Sequence, residues 1–169
     1  MSDYNRTTRE CPVSQLHPEL LRAIQSYFME HQLGDLETET LLCCETVSTK
    51  KDFGKLAALL KGALDTTIHM GMLLTSQQLI WVRKGDRSGI LLTAANLKDI
   101  QVRAYSSILT KDTGLEIFGY IGDSNGNVRG YVGMGAEADA QKFCEEVRKA
   151  VANVQPPPAP KNLPKWLGG

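Results

Sequence analysis

A mainly β (α+β) domain closed by one C-terminal helix is the fold class this sequence predicts, and three observations predict it. Seven short segments between Glu39 and Met134 read as strands. The last two of them form a hairpin. After Gly135 the apolar period changes from two to about 3.6. Closely spaced antiparallel strands need no helical crossovers, so the expected architecture is a meander that bends into a sandwich or partly closed barrel. A helix placed last would plug its open end.

The hairpin arms are Gly114–Gly122 and Val128–Met134. Leu115, Ile117 and Ile121 point one way and Glu116, Phe118 and Tyr120 the other. Asn125-Gly126 in the connection tolerates the positive φ of tight turns. Over residues 136–154, Ala140, Phe143, Cys144, Val147, Ala150, Val151 and Val154 form one apolar stripe, and charged residues cover the other face. Glu145–Lys149 and Lys142–Glu146 are spaced as i,i+4 pairs. Pro156-Pro157-Pro158 ends the helix.

Earlier in the chain, residues 1–16 are polar and aperiodic and are expected to form a loose arm. Pro18–Gln32 is a helix, with Pro18 in its first turn and Gly34 at its C-terminal cap. Glu39–Ser48 is the first strand, and Phe53–Gly62 is a short helical piece. Ile68, Met70, Met72 and Leu74 alternate with His69 and Gly71 in the next strand. A tight turn at Ser76-Gln77 leads into Gln78–Arg83, where Leu79 and Trp81 oppose Ile80 and Val82. Lys84–Gly89 is a turn by composition. Ile90–Thr93 and Asp99–Ser107 are further strands, the latter with Ile100, Val102 and Ala104 on one face. The chain thus divides into an N-terminal arm and helix (1–36), a β domain (37–154) and a Pro-rich tail (155–169).

The Met70–Val82 run, the Leu97–Val102 segment, the Gly114–Met134 hairpin and the Ala136–Val154 helix occur in the order of the pleckstrin-homology-like superfold. The chain resembles that superfold over residues 37–154, near its GRAM and bacterial PH-type branches. The resemblance rests on architecture. It implies a seven-stranded antiparallel barrel capped by the terminal helix, with the helix at 18–32 as an addition.

It also implies two binding sites. Basic loops at one open end would take an anionic lipid head group, here Lys50, Lys51, Lys55, Lys84 and Arg87. The Lys…Lys/Arg-x-Arg pattern of inositide-binding members is absent, since this chain reads Thr66-Thr67-Ile68-His69-Met70. The other site is a groove between the fifth strand and the terminal helix, where an extended peptide adds a strand. Here Val102 and Ala104 would face Phe143 and Val147. Trp166 and Leu167, at the end of the Pro-rich tail, are apolar side chains worth about 2 kcal/mol each on burial. They are expected to dock, on this domain or on a partner.

Composition narrows the function. The 19 basic and 19 acidic residues cancel, which disfavours nucleic acid as a partner. No apolar run reaches the roughly 20 residues of a membrane span, and the N-terminus does not read as a signal peptide. The expected location is cytoplasmic, or peripheral to a membrane in the lipid-binding case.

Cys11, Cys43, Cys44 and Cys144 show no zinc or disulfide spacing and read as reduced structural thiols, with Cys43 and Cys44 facing opposite sides of a strand. Histidines 17, 31 and 69 belong to no catalytic motif, and Asp112 and Glu116 read as solvated carboxylates at a strand start. The expectation is a non-catalytic binding or adaptor domain without metal or cofactor. Its partner would be a protein or peptide; the alternative is an anionic membrane surface.

Overall fold

The computed structural model describes residues 4–51, 65–106, 113–122 and 126–155. The predicted helical piece at Phe53–Gly62, most of the Asp123–Asn127 turn and the tail beyond Gln155 lie outside the described residues. All seven predicted strands are present as β2 (Thr40–Lys50), β3 (Thr67–Thr75), β4 (Gln78–Gly85), β5 (Gly89–Asn96), β6 (Ile100–Ser106), β7 (Thr113–Gly119) and β8 (Val128–Met134). An eighth, β1 (Tyr4–Glu10), occupies the stretch expected to be a loose arm. It pairs antiparallel with β2 from Tyr4↔Lys50 to Glu10↔Cys44. Its polar sequence hides it because only Thr8 is buried there. Backbone pairing, not an apolar face, makes it a strand.

The strands form two antiparallel sheets, ordered β1-β2-β3-β4-β5 and β6-β7-β8. No ladder joins them, so the described strands form two separate sheets and not the seven-stranded barrel that the resemblance implied. Alternation along β2–β4 serves both faces of the larger sheet. Cys44, Met72, Leu74 and Leu79 face the smaller sheet, meeting Ile100, Leu115, Ile117 and Val132 in the main core. Cys43, Leu73, Ile80 and Val82 face the other way, onto Leu20, Ile24 and Phe28 of helix α1 (Pro18–Glu30). Cys43 and Cys44 do face opposite sides, as the period of two requires. The N-terminal helix is therefore an outer layer on the large sheet.

Helix α1 ends in a Schellman motif. Gln32 takes the left-handed conformation (φ 52°), the Leu33 N–H donates to Phe28 O at 3.0 Å, and the Gln32 N–H donates to Met29 O at 3.3 Å. The left-handed cap is Gln32, two residues before the glycine that the sequence pointed to. A one-turn helix α2 (Leu36–Glu39) leads into β2.

The last helix, α3 (Ala138–Val154), lays Ala140, Phe143, Val147 and Val151 into the core. Its start is fastened to the outer edge of β1. The Thr8 N–H donates to Glu137 Oε2 (3.1 Å), the Glu10 N–H donates to Asp139 Oδ2 (2.9 Å), and Lys142 pairs with Glu10 (2.6 Å). Of the two predicted helix-surface pairs, Glu145–Lys149 is present at 3.1 Å, whereas Lys142 reaches Glu10 in place of Glu146. These carboxylates occupy donors that an open strand edge would otherwise offer to another chain. Among the described residues no helix is long and apolar enough to cross a membrane.

Candidate functional site

The smaller sheet leaves β6 as its outer strand, and α3 runs beside that edge. Between them lies a groove of about 870 Å³. Val102, Ala104 and Tyr105 form one wall, Ala140, Cys144 and Val151 the other. Hydrogen-bonding parity shows what the edge offers. The Tyr120 N–H donates to Asp99 O (3.2 Å), and residues opposed across β6–β7 alternate between bonded and non-bonded pairs. Ile100, Val102 and Ala104 therefore turn their main-chain groups away from β7, toward the groove. Gln155 Nε2 already donates to Ile100 O at 2.5 Å. Val102 and Ala104 follow it along the edge, one donor and one acceptor each.

The predicted groove residues divide. Val102 and Ala104 line it, but Phe143 and Val147 do not: both are 0% exposed and belong to the core. They sit at the centre of the helix stripe, and the groove wall is its flank. Ala140, Cys144 and Val151 are the wall residues that sequence reasoning did not assign to the groove. Arg148 also borders it, beside Cys144, whose thiol is pushed up to about 11 by burial, with Arg148 pulling it down. Trp166 and Leu167 lie outside the described residues.

The predicted cationic end assembles only in part. Register brings the end of β2, at Lys50, next to the starts of β3 and β5 and the end of β4, so Lys50, Lys51, Lys84 and Arg87 share one end of the large sheet. Lys84, however, pairs with Glu19 of α1 at 3.2 Å and lies on the outer face. Two carboxylates sit among the cations. Asp65 accepts from Ser88 Oγ (2.6 Å) and from the Arg87 and Ser88 amides (2.6 and 2.9 Å). Those bonds, the Ser88 hydroxyl first, hold its carboxyl down to about 2. Asp86 accepts from the Thr66 amide and hydroxyl. Lys55 lies outside the described residues.

Two polar clusters were not visible in the sequence. Glu116, read there as solvated, is buried on β7 between Arg103 of β6 and Arg129 of β8, which both bond to its carboxylate. The Arg103 bond, then that of Arg129, holds the carboxyl below its ordinary value against the opposing effect of burial. Both guanidiniums also stack over Phe118, at 4.9 and 5.4 Å. This is a clamp of one carboxylate and two guanidiniums across three strands.

On the outer face of the large sheet, buried Glu45 binds Arg9 (2.6 Å) and accepts the His17 N–H (3.2 Å), with His69 Nδ1 at 3.6 Å. The His17 and His69 rings are 4.6 Å apart. His17 caps α1, its Nδ1 accepting the Glu19 N–H at 3.3 Å. That bond requires a neutral ring, and burial, then His69 and Lys84, lowers the His17 pKa. A histidine with a depressed folded-state pKa stabilises the fold above its unfolded value, about 6.5, and that stability is lost as pH falls through the folded value. Lowering the pH from about 7.5 to about 5.5 should therefore destabilise wild type more than His17→Asn, which keeps a cap acceptor that does not titrate. Urea unfolding at the two pH values measures the difference.

Among the described residues no group of three or more His, Cys, Asp or Glu side chains could hold a metal ion. Comparison with known proteins gives no match: no family model, no curated protein and no solved structure matches this chain.

Proposed function

We propose that this chain is a non-catalytic binding domain with a pleckstrin-homology-like plan, and that it takes an extended peptide or protein segment in the groove between β6 and α3. The plan is supported by four consecutive strands, β2–β5, in one sheet, three, β6–β8, in the other, and a helix at the end. β1 and α1 are additions to it. The observation that carries the functional reading is the β6 edge, which past Ile100 pairs with no other strand among the described residues. Val102 and Ala104 present ladder donors and acceptors beside an apolar helix flank, which is what strand addition needs. Main-chain bonds would supply affinity, and the pockets toward Cys144 and Val151 would select side chains.

The test is selection of peptides from a random display library against the full chain, followed by binding to wild type and to Ala104→Glu. Ala104 is exposed, so the change should leave stability within about 0.5 kcal/mol. It places a charge on the strand-adding edge and should weaken selected peptides at least tenfold, about 1.4 kcal/mol. Amides of Val102 and Ala104 should gain hydrogen-exchange protection in the complex. Failure to enrich any peptide, or equal binding by Ala104→Glu, would sink the reading.

A membrane-surface reading has one specific observation in its favour. Ile90 and Leu91 are exposed at the start of β5, opposite Lys84 and Arg83. Apolar side chains beside cations suit an anionic bilayer. Flotation with anionic liposomes separates the two readings: binding that falls steeply with salt and is lost in Ile90→Asp/Leu91→Asp would favour lipid over peptide.

A further inference from the structure

Cys11 follows directly on β1, and the β1–β2 register, which ends at Glu10↔Cys44, sets it opposite Cys43. The Cys11 N–H donates to Cys43 O at 3.1 Å, so the pairing continues through this position. Opposed residues of this kind have Cα atoms about 5.5 Å apart, within the span of about 4.4–6.8 Å that a disulfide bridges. The two side chains also share a face. Both are buried in the same cluster under α1, and both line one cleft of about 440 Å³ that opens to solvent beside Glu10, Pro12 and Leu41. Cys44 points to the opposite face, into the main core, and Cys144 lies on α3. Only Cys11 and Cys43 are placed both to meet each other and to be reached from that cleft.

We infer that Cys11 and Cys43 form an oxidation site, converting from a dithiol to a reversible disulfide when a small peroxide enters the cleft. The Cys11 thiolate attacks one peroxide oxygen and the O–O bond breaks. Cys11 becomes a sulfenic acid, and the departing hydroxide takes a proton to leave as water. The Cys43 thiolate then attacks the Cys11 sulfur, forming the S–S bond and breaking the S–O bond, with a second water leaving. Two thiols lose two electrons in total and one peroxide is reduced to two waters; a thiol reductant reverses the change.

Cys11 is assigned as the attacking residue because burial raises its thiol against the opposing effect of the Arg9 cation, while Cys43 is raised far further by burial. Scarce thiolate makes the reaction slow at neutral pH, and its rate should rise about tenfold per pH unit. The bond would staple β1 to β2 next to Glu10, whose N–H donates to Asp139 at the start of α3. Oxidation would thereby fix the strand to which that helix is fastened.

The experiment treats the folded full chain with hydrogen peroxide and counts thiols after denaturation. Four thiols should fall to two, with an intact-mass loss of about 2 Da, and dithiothreitol should restore all four. Fragmentation of the linked tryptic peptides assigns the partner without any variant. A Cys11–Cys43 link supports the site, and a Cys11–Cys44 link overturns it. Cys44→Ser should still form the link and Cys43→Ser should not. Retention of four thiols in wild type, or a link that forms only in urea, would overturn the proposal.

Discussion

Replacing Phe143 with alanine should destabilise the protein by about 3–5 kcal/mol, the cost of emptying a fully buried aromatic site. Phe143 is 0% exposed and stands in the core with Leu115, Ile117, Val132 and Val147, where α3 covers the smaller sheet. The loss has two parts. The ring's transfer energy is forfeited, and the two sheets and the helix cannot fully collapse on the void because hydrogen-bonded backbone holds the walls. Against a total stability of about 5–15 kcal/mol, this is a large fraction. The melting temperature should fall by about 10 °C or more, and the urea midpoint should move with it. The same residue, read from sequence alone, belonged to a ligand groove. Calorimetry on Phe143→Ala and Ala104→Glu together decides between the roles: Phe143→Ala should lose stability, Ala104→Glu should lose ligand binding with its melting temperature nearly unchanged. A small shift for Phe143→Ala would mean that the helix does not close the core in the way described.

What could be read from the sequence was whatever had a period. β2–β8 and both long helices announced themselves through alternation or a stripe, and strand order followed from short connections. β1 did not, because a polar edge strand has no apolar alternation to show; its partners are the β2 backbone and the carboxylates of Glu137 and Asp139, about 130 residues away. Glu116 misled for a related reason. A carboxylate in a strand looks solvated until register sets Arg103 opposite it and brings Arg129 within reach. The outer cluster of Arg9, His17, Glu45 and His69 spans three strands and a loop, and only folding assembles it. The groove was legible as topology, an edge strand beside a terminal helix. Its wall was not, because a stripe names the buried centre of a helix more readily than its flank.

Gly119→Ala is the second change with a large expected effect, and here backbone geometry decides. Gly119 has φ +133°, a region that L side chains rarely adopt, and a Cβ there would stand 2.1 Å from Asp99 O. That carbonyl is already in use, accepting the Tyr120 N–H at 3.2 Å at the start of the β6–β7 ladder. Alanine must either push β6 away or rotate φ, and rotation breaks the pairing with Ile100, which is 1% exposed. Backbone strain of about 1–3 kcal/mol and a lost hydrogen bond of about 1 kcal/mol together predict a loss of about 2–4 kcal/mol. The damage should be local as well as global. β6 carries the groove edge, and Ile100 O is the acceptor of Gln155. Hydrogen exchange at Gln101 and Arg103, whose main-chain groups bond toward β7, should therefore quicken before the large sheet responds. Native-state exchange measures both. Equal acceleration across β2–β4 would mean that the two sheets unfold as one unit, whereas unchanged exchange in β6 would show that the ladder tolerates a side chain at Gly119.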